Sequence, residues 1–202
     1  MLDPILRRLI GPPLDWAGRW FARRGATANQ TTLAALTIGM MAVPLLAGGH
    51  YGFALAVILV NRLLDGLDGA IARHVGSTAF GGYLDIVCDM VFYAAVPLGF
   101  GLAAPANAIW AALLLASFVC TSASFLGRAI MAAQRREADA GQRGQKSFFY
   151  SPGVIEGTET IAAFVLFCMF PSSFSWLAGA LAVLCFLTAF LRVVESFFYS
   201  VQ

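Results

Sequence analysis

Charge is what this sequence has least of. Lys, Arg, Asp and Glu make up 12% of its 202 residues, hydrophobic residues make up 59%, and the mean hydropathy is +0.77. Three stretches, 32–61, 90–127 and 160–191, contain no Lys, Arg, Asp or Glu. That excludes a soluble domain with a charged surface and indicates an integral membrane protein. Histidine is limited to His50 and His74, which are read as solvated. Cysteine is limited to Cys88, Cys120, Cys168 and Cys185, each alone in a predicted helix, so packing is the better reading than a disulfide framework. There is no internal repeat and no low-complexity segment. The N-terminus reads Met-Leu-Asp-Pro-Ile-Leu-Arg-Arg rather than a basic start followed by an apolar run, so no cleavable signal is expected. The net charge of +2 says little about partners, and no nucleic-acid partner is expected.

Each uncharged stretch is too long for one span of about 20 residues, so each reads as a helical hairpin. Breaks stand at Gly48-Gly49-His50-Tyr51-Gly52, Ala104-Pro105-Ala106-Asn107 and Pro171-Ser172-Ser173. They predict transmembrane helices at 32–48, 52–73, 82–103, 108–134, 153–170 and 174–198. The fold class is therefore all-α membrane protein, one domain over 1–202, with an interfacial segment at 1–28 and a six-helix bundle at 32–198. The three hairpin tips carry no Arg or Lys, whereas basic residues gather at the N-terminus, toward the 73–82 and 128–146 connections and near the C-terminus. Both termini are thus expected in the cytoplasm, in a multi-pass protein of a bacterial inner membrane. A helix over 13–24 would place Leu14, Trp16, Ala17, Trp20 and Phe21 on one arc and Asp15, Arg19 and Arg23 on the other, as a helix lying along the membrane surface does. An ordinary membrane anchor with no catalytic part is the favoured account, the alternative being a wall that guides a lipid toward the site.

Against that background the run from 65 to 89 stands out: Asp65-x-x-Asp68-Gly69-x-x-Ala72-Arg73, then Gly81-x-x-x-Asp85-x-x-x-Asp89. Asp65, Asp68 and Ala72 share one helix face; Gly81, Asp85 and Asp89 share another. An unneutralised aspartate at membrane depth costs roughly 2.5 to 3.5 kcal/mol on insertion scales, and neighbouring carboxylates repel each other when ionised. Two facing Asp faces would hold a cation that removes both penalties. With no Cys or His on either face, the ion is a hard one with oxygen ligands, Mg2+ or Mn2+. The plainer alternative pairs the aspartates with Arg62 and Arg73 or uses them as helix caps; it suits any one of them better than all four.

This run resembles the signature of the CDP-alcohol phosphotransferase (phosphatidyltransferase) family, with seven residues, 74–80, between Arg73 and Gly81 where most members have eight. Ala28-Asn29-Gln30-Thr31-Thr32-Leu33 is similar to the Pro-Asn-x-x-Thr-x segment opening that family's first membrane helix. The resemblance implies an enzyme of phospholipid synthesis. It would transfer a phosphatidyl group from a CDP-alcohol, most naturally CDP-diacylglycerol, to the hydroxyl of a small polar alcohol, releasing CMP. It implies two Mg2+ or Mn2+ ions held by Asp65, Asp68, Asp85 and Asp89, with Asp89 also accepting the acceptor's proton. Asn29, Gly69, Ala72, Arg73 and Gly81 would meet the nucleotide and its diphosphate, in a homodimer whose site faces the cytoplasm among membrane lipids.

The acceptor alcohol stays open among glycerol 3-phosphate, inositol or its phosphate, and serine. Candidates for its pocket are Arg128 and Lys146, beside Arg135, Arg136 and Arg143, and the polar opening of the fifth helix with Glu156, Glu159 and Thr160. Solvated positive-inside charge and acids complementing a helix dipole are the ordinary explanations of these groups. Arg192 and Glu195, at i and i+3, read as an interfacial pair. The competing function is a divalent metal-ion transporter with an intramembrane carboxylate site. Acids at helix ends beside Arg73, rather than at mid-depth, favour the enzyme.

Overall fold

In the computed structural model, residues 3–139, 155 and 157–200 are described, and among them the chain is all helix and connection. The helices are α1 (Asp3–Arg23), α2 (Ala28–Met40), α3 (Ala42–Ala47), α4 (Tyr51–Val75), α5 (Ala79–Ala103), α6 (Ala108–Asp139), α7 (Gly157–Met169) and α8 (Phe174–Ser200). The three sequence breaks hold: Gly49 takes φ +73° after α3, and 3-10 turns Pro105–Asn107 and Pro171–Ser173 precede α6 and α8.

Two boundaries differ from expectation for local reasons. The first hairpin helix begins at Ala28 rather than 32, because Thr27 and Gln30 form a capping box in which the Gln30 amide donates to Thr27 Oγ1 and the Thr27 amide to Gln30 Oε1. It is then broken at Met41, where Pro44 has no N–H to give the carbonyl of Met40 one turn back. Likewise α5 starts at Ala79, its first turn held by Thr78 Oγ1 accepting from the Gly81 amide at 2.9 Å. The link 76–78 thus joins the two halves of the signature through Gly76 at φ +109°, and its length leaves both helix faces intact. The expected start of the fifth helix at 153 lies outside the described residues; α7 is described from Gly157.

Among the described residues, four helical stretches are long and apolar enough to cross a membrane: Ala28–Ala47, Ala79–Ala103, Pro105–Met131 and Pro171–Phe198. α7 is apolar but spans 13 residues, about 20 Å. α4 has the length, at 25 residues, but carries Arg62, Asp65, Asp68 and Arg73 in its second half. Large apolar side chains are exposed along the described helices, with Trp176, Ile109 and Phe53 between 70% and 82% exposed. Hydrocarbon accommodates such a surface and water does not.

The core is aromatic. Phe100 stacks on Phe174 at 4.5 Å and on Tyr51 at 5.6 Å, and Phe92, Phe164 and Phe167 continue the cluster with no exposure. Close crossings use small residues: a Cβ on Gly99 would stand 2.8 Å from Leu46, and one on Gly179 2.8 Å from Trp110. All four cysteines are free, three of them buried, as the packing reading expects. α2 and α3 each pack against both α4 and α5, while α7 packs on α4 and α6 on α5; the signature carboxylates of α4 and α5 approach one another inside this bundle.

α1 is less simple than a surface helix. It extends from Asp3, through Pro12 and Pro13, well ahead of the expected 13–24, and docks on α4. The face it buries takes in only part of the predicted apolar arc: Leu14 lies over Gly66, and Gly18, from neither arc, lies so close to Ala70 that a Cβ there would be 2.7 Å from the Ala70 Cβ. Trp16, Trp20 and Phe21 are left exposed, with the Arg24 guanidinium 3.6 Å over the Trp20 ring.

Candidate active site

The carboxylates separate into three and one. Oxygens of Asp65 and Asp68 on α4 and Asp85 on α5 lie within 4.8 Å of one another, Asp68 buried and the others half-buried. Three anionic groups at that separation, from two helices and without sulfur or nitrogen donors, fit a hard divalent cation. Thr32 on α2 fixes one member: its Oγ1 donates to Asp68 Oδ2 at 2.6 Å while also lying 3.0 Å from the Ala28 carbonyl. The Pro-Asn-x-x-Thr-like segment therefore delivers its threonine to the second signature aspartate.

Asp89 is engaged elsewhere. Arg62 Nη1 donates to Asp89 Oδ1 at 2.8 Å and lies 3.5 Å from Asp65 Oδ2, with the arginine side chain only 15% exposed. Its Nε donates to Asn61 Oδ1 at 2.7 Å, and the buried Asn61 in turn donates from Nδ2 to the Ala35 carbonyl at 2.8 Å. The guanidinium sits 4.4 Å over the Phe92 ring and 5.4 Å from that of Tyr93. Three of the four expected metal ligands thus come together, and the plainer ion-pair reading holds for Asp89 and, at longer range, for Asp65. Sequence reasoning mentioned Arg62 only as a counter-ion. Its position one turn before Asp65 was the available signal, but the reach to α5 depends on how the helices pair.

At the open end of the site the candidate nucleotide residues come together in part. A Cβ on Gly81 would lie 3.1 Å from Asn29 Oδ1, so those two adjoin, and one on Gly69 would meet only the Arg73 guanidinium at 3.7 Å. Ala72 is half-buried on α4. The Arg73 side chain is 59% exposed and, 3.5 Å from Asp15 on α1, shares that carboxylate with Arg19 and His74. Asp15 is thus a partner of the signature arginine, a contact the sequence reading did not assign to α1.

The acceptor candidates are spread. Arg128 Nη1 donates to Glu195 Oε2 at 2.6 Å, tying α6 to α8. Glu159 lies in the first turn of α7, whose first residue, Gly157, adjoins the Tyr93 hydroxyl. Thr160 is buried, and Thr188 Oγ1 accepts from the Ile155 amide at 3.1 Å. Lys146, Glu156 and Arg143 lie outside the described residues.

Comparison with known proteins agrees with this geometry. The family model for CDP-alcohol phosphatidyltransferase matches residues 26–194. The chain is 48% identical over 194 residues, 96% of its length and 94% of the relative's, to the inner membrane protein YnjF of Escherichia coli K12. It is 34% identical over 103 residues, 50% of this chain and 54% of the relative, to the archaetidylinositol phosphate synthase of Pyrococcus horikoshii. Among solved structures, that of the Mycobacterium tuberculosis phosphatidylinositol phosphate synthase with CDP-DAG bound matches with a TM-score of 0.63 at 26% identity, covering 89% of this chain and 91% of that one. The same synthase in complex with manganese and citrate matches at 0.58 and 25% identity, over 89% of this chain and 87% of that one. The matched span contains both halves of the Asp signature and the Thr32 segment that meets it, so the chain belongs to the CDP-alcohol phosphatidyltransferase family of phospholipid-synthesising membrane enzymes.

Proposed function

We propose that this enzyme transfers a phosphatidyl group from CDP-diacylglycerol to the hydroxyl of a small polar alcohol at the cytoplasmic face of a bacterial inner membrane. The observation that carries it is the convergence of Asp65, Asp68 and Asp85 on one point between α4 and α5, within a membrane bundle that opens beside Asn29, Gly69 and Gly81. The CDP-DAG bound to the mycobacterial synthase supports the donor, and the manganese in its other structure supports the ion.

In this reading Asp65, Asp68 and Asp85 hold Mg2+ or Mn2+, which neutralises and orients the diphosphate oxygens. Asn29, Gly69, Ala72, Arg73 and Gly81 receive the nucleotide and its diphosphate, glycines allowing close approach of backbone. The acceptor O–H gives its proton to Asp89, the new P–O bond forms, and the P–O bond to CMP breaks with its electron pair leaving on CMP. A two-ion site would draw on Asp89 as well; in the structure that carboxylate is held by Arg62. Arg128, Lys146, Glu156 and Glu159 remain the proposed acceptor wall. A phosphorylated acceptor would compete with Glu195 for Arg128.

Six spans form the bundle in the same proposal: α2 with α3, then α4, α5, α6, α7 and α8, with α1 at the interface. A homodimer, the assembly the family resemblance implies, is read by cross-linking in native membranes. The test of function is CMP release by purified protein given CDP-diacylglycerol, Mg2+ or Mn2+ and a panel of alcohols, with and without EDTA. Release that depends on one alcohol and stops on chelation is expected. Absence of release across glycerol 3-phosphate, inositol, inositol phosphate and serine would sink the reading.

A further inference from the structure

α1 brings one carboxylate to the signature from outside it. Leu14 and Gly18, one turn apart, seat on Gly66 and Ala70 of α4, and Asp15 stands between those two contacts in the chain. Its Oδ1 lies 3.5 Å from Arg73 Nε and 3.5 Å from His74 Nε2, while its Oδ2 accepts from Arg19 Nη1 at 3.2 Å. Arg73 is thereby met on its Nε side. Its Nη1 lies over Gly69, one turn back on α4, where a Cβ would find that atom at 3.7 Å and nothing else within 4 Å.

Two roles for Asp15 compete. As a support for the docking of α1 it would do little, because its side chain is 35% exposed and those of Arg19 and Arg73 are 49% and 59% exposed, and ion pairs so open to solvent contribute little to stability. The close seating of Leu14 and Gly18 already accounts for the docking. Orientation is the other role. A guanidinium takes a phosphate through two parallel N–H bonds only when its edge is aimed at the oxygens, and a long exposed arginine loses rotamer freedom on being fixed there.

We propose that Asp15 is a positioning residue for donor binding: it holds the Arg73 guanidinium by Nε, so that the Nη edge faces a diphosphate lying over Gly69. Asp15 touches no reacting atom, and its effect runs through Arg73. The assignment rests on the transferase reading, which supplies the diphosphate. Which edge is held decides the sign. A carboxylate against the Nη pair would compete with phosphate, whereas one against Nε leaves that pair to the ligand, so removing Asp15 should weaken donor binding.

CDP-diacylglycerol is titrated calorimetrically, with Mn2+ and no alcohol, into wild type, Asp15→Asn, Asp15→Glu, Arg73→Gln and the Asp15→Asn/Arg73→Gln double variant in detergent. CMP release then gives kcat and donor KM, and thermal unfolding gives the midpoint. For Asp15→Asn the donor Kd and KM should rise by roughly 2- to 10-fold, the scale of ordering one long side chain, with kcat and the midpoint close to wild type. Asp15→Glu keeps the charge and should recover part of the affinity. In the Arg73→Gln background Asp15→Asn should add nothing further, as a residue acting through Arg73 requires. A support of the fold would instead lower the midpoint and add its loss in both backgrounds. That pattern overturns the proposal, as does donor binding in Asp15→Asn that is unchanged or tighter. A wild type that binds CDP-diacylglycerol but releases no CMP with any alcohol would sink the transfer reading, while the binding measurements still decide the role of Asp15. A wild type that binds no CDP-diacylglycerol would sink the donor and this proposal together.

Discussion

Thr32 shows how much of the site rests on groups outside the signature. Its hydroxyl reaches Asp68 Oδ2 at 2.6 Å from a different helix, and Asp68 is the most buried of the converging carboxylates. Partners of this kind orient metal ligands, and losing one typically lowers metal affinity by roughly 10- to 100-fold. Thr32→Val should lower Mn2+ affinity within that range and Thr32→Ser should restore it, as read by calorimetric titration; a valine variant with unchanged affinity would show the hydroxyl to be incidental. Asp89→Asn makes the opposite demand. Asparagine keeps the shape and an oxygen for Arg62 but cannot take a proton, so CMP release should fall by at least about 10²-fold while Mn2+ and nucleotide binding persist. Near-normal turnover would remove Asp89 from the chemistry. The four aspartates could be read from spacing alone, because i, i+3 and i, i+4 relations belong to single helices. Thr32 with Asp68, Arg62 with Asp89 and Asp15 with Arg73 could not, because each joins two helices whose mutual rotation no local pattern states.

Among elements, the same division between local and tertiary information recurs. The breaks at Gly49, Pro105 and Pro171 were readable because a positive φ or a missing N–H is a property of one residue. The interruption at Met41 has the same kind of cause in Pro44, yet an uncharged run hides it. The docking of α1 escaped the amphipathic reading for a different reason: it is mediated by Gly18 and Leu14 against Ala70 and Gly66, and small residues leave no trace in a hydrophobic pattern. Gly39 on α2 is the most consequential of these contacts, since a Cβ there would lie 2.6 Å from Asn61 Nδ2 and 2.7 Å from Phe92. Both of those side chains hold Arg62. Gly39→Ala should therefore cost about 1–3 kcal/mol of stability by overpacking, visible as a lower thermal midpoint in detergent, and should also reduce kcat by displacing the guanidinium. Loss of stability without any change in kcat would separate Gly39 from the Arg62 assembly.

At the scale of the whole molecule, the distribution of charge and of apolar surface predicts one orientation for the bundle. Large apolar side chains face outward along α5, α6 and α8, and Arg62, Asp65, Asp68, Arg73, Asp85 and Asp89 lie on the halves of α4 and α5 that meet at 76–78. Arg128 at the far end of α6 joins Glu195 near the end of α8, where the C-terminus emerges. The connections on the opposite side, around Gly49, Pro105 and Pro171, carry no Arg or Lys. Translocating the basic end would oppose the positive-inside bias, so the site and both termini should stay in the cytoplasm, where a CDP-linked donor would be met. This orientation requires α4 to cross despite its charges and α7 despite its 13 described residues. An odd number of crossings would put the termini on opposite sides. Alkaline phosphatase fused after Gln202 should be inactive in cells, and the same reporter after Ala106 or Ser172 should be active. Activity from the Gln202 fusion would place the C-terminus outside and break the six-span proposal at α4 or α7, while leaving the geometry of Asp65, Asp68 and Asp85 untouched.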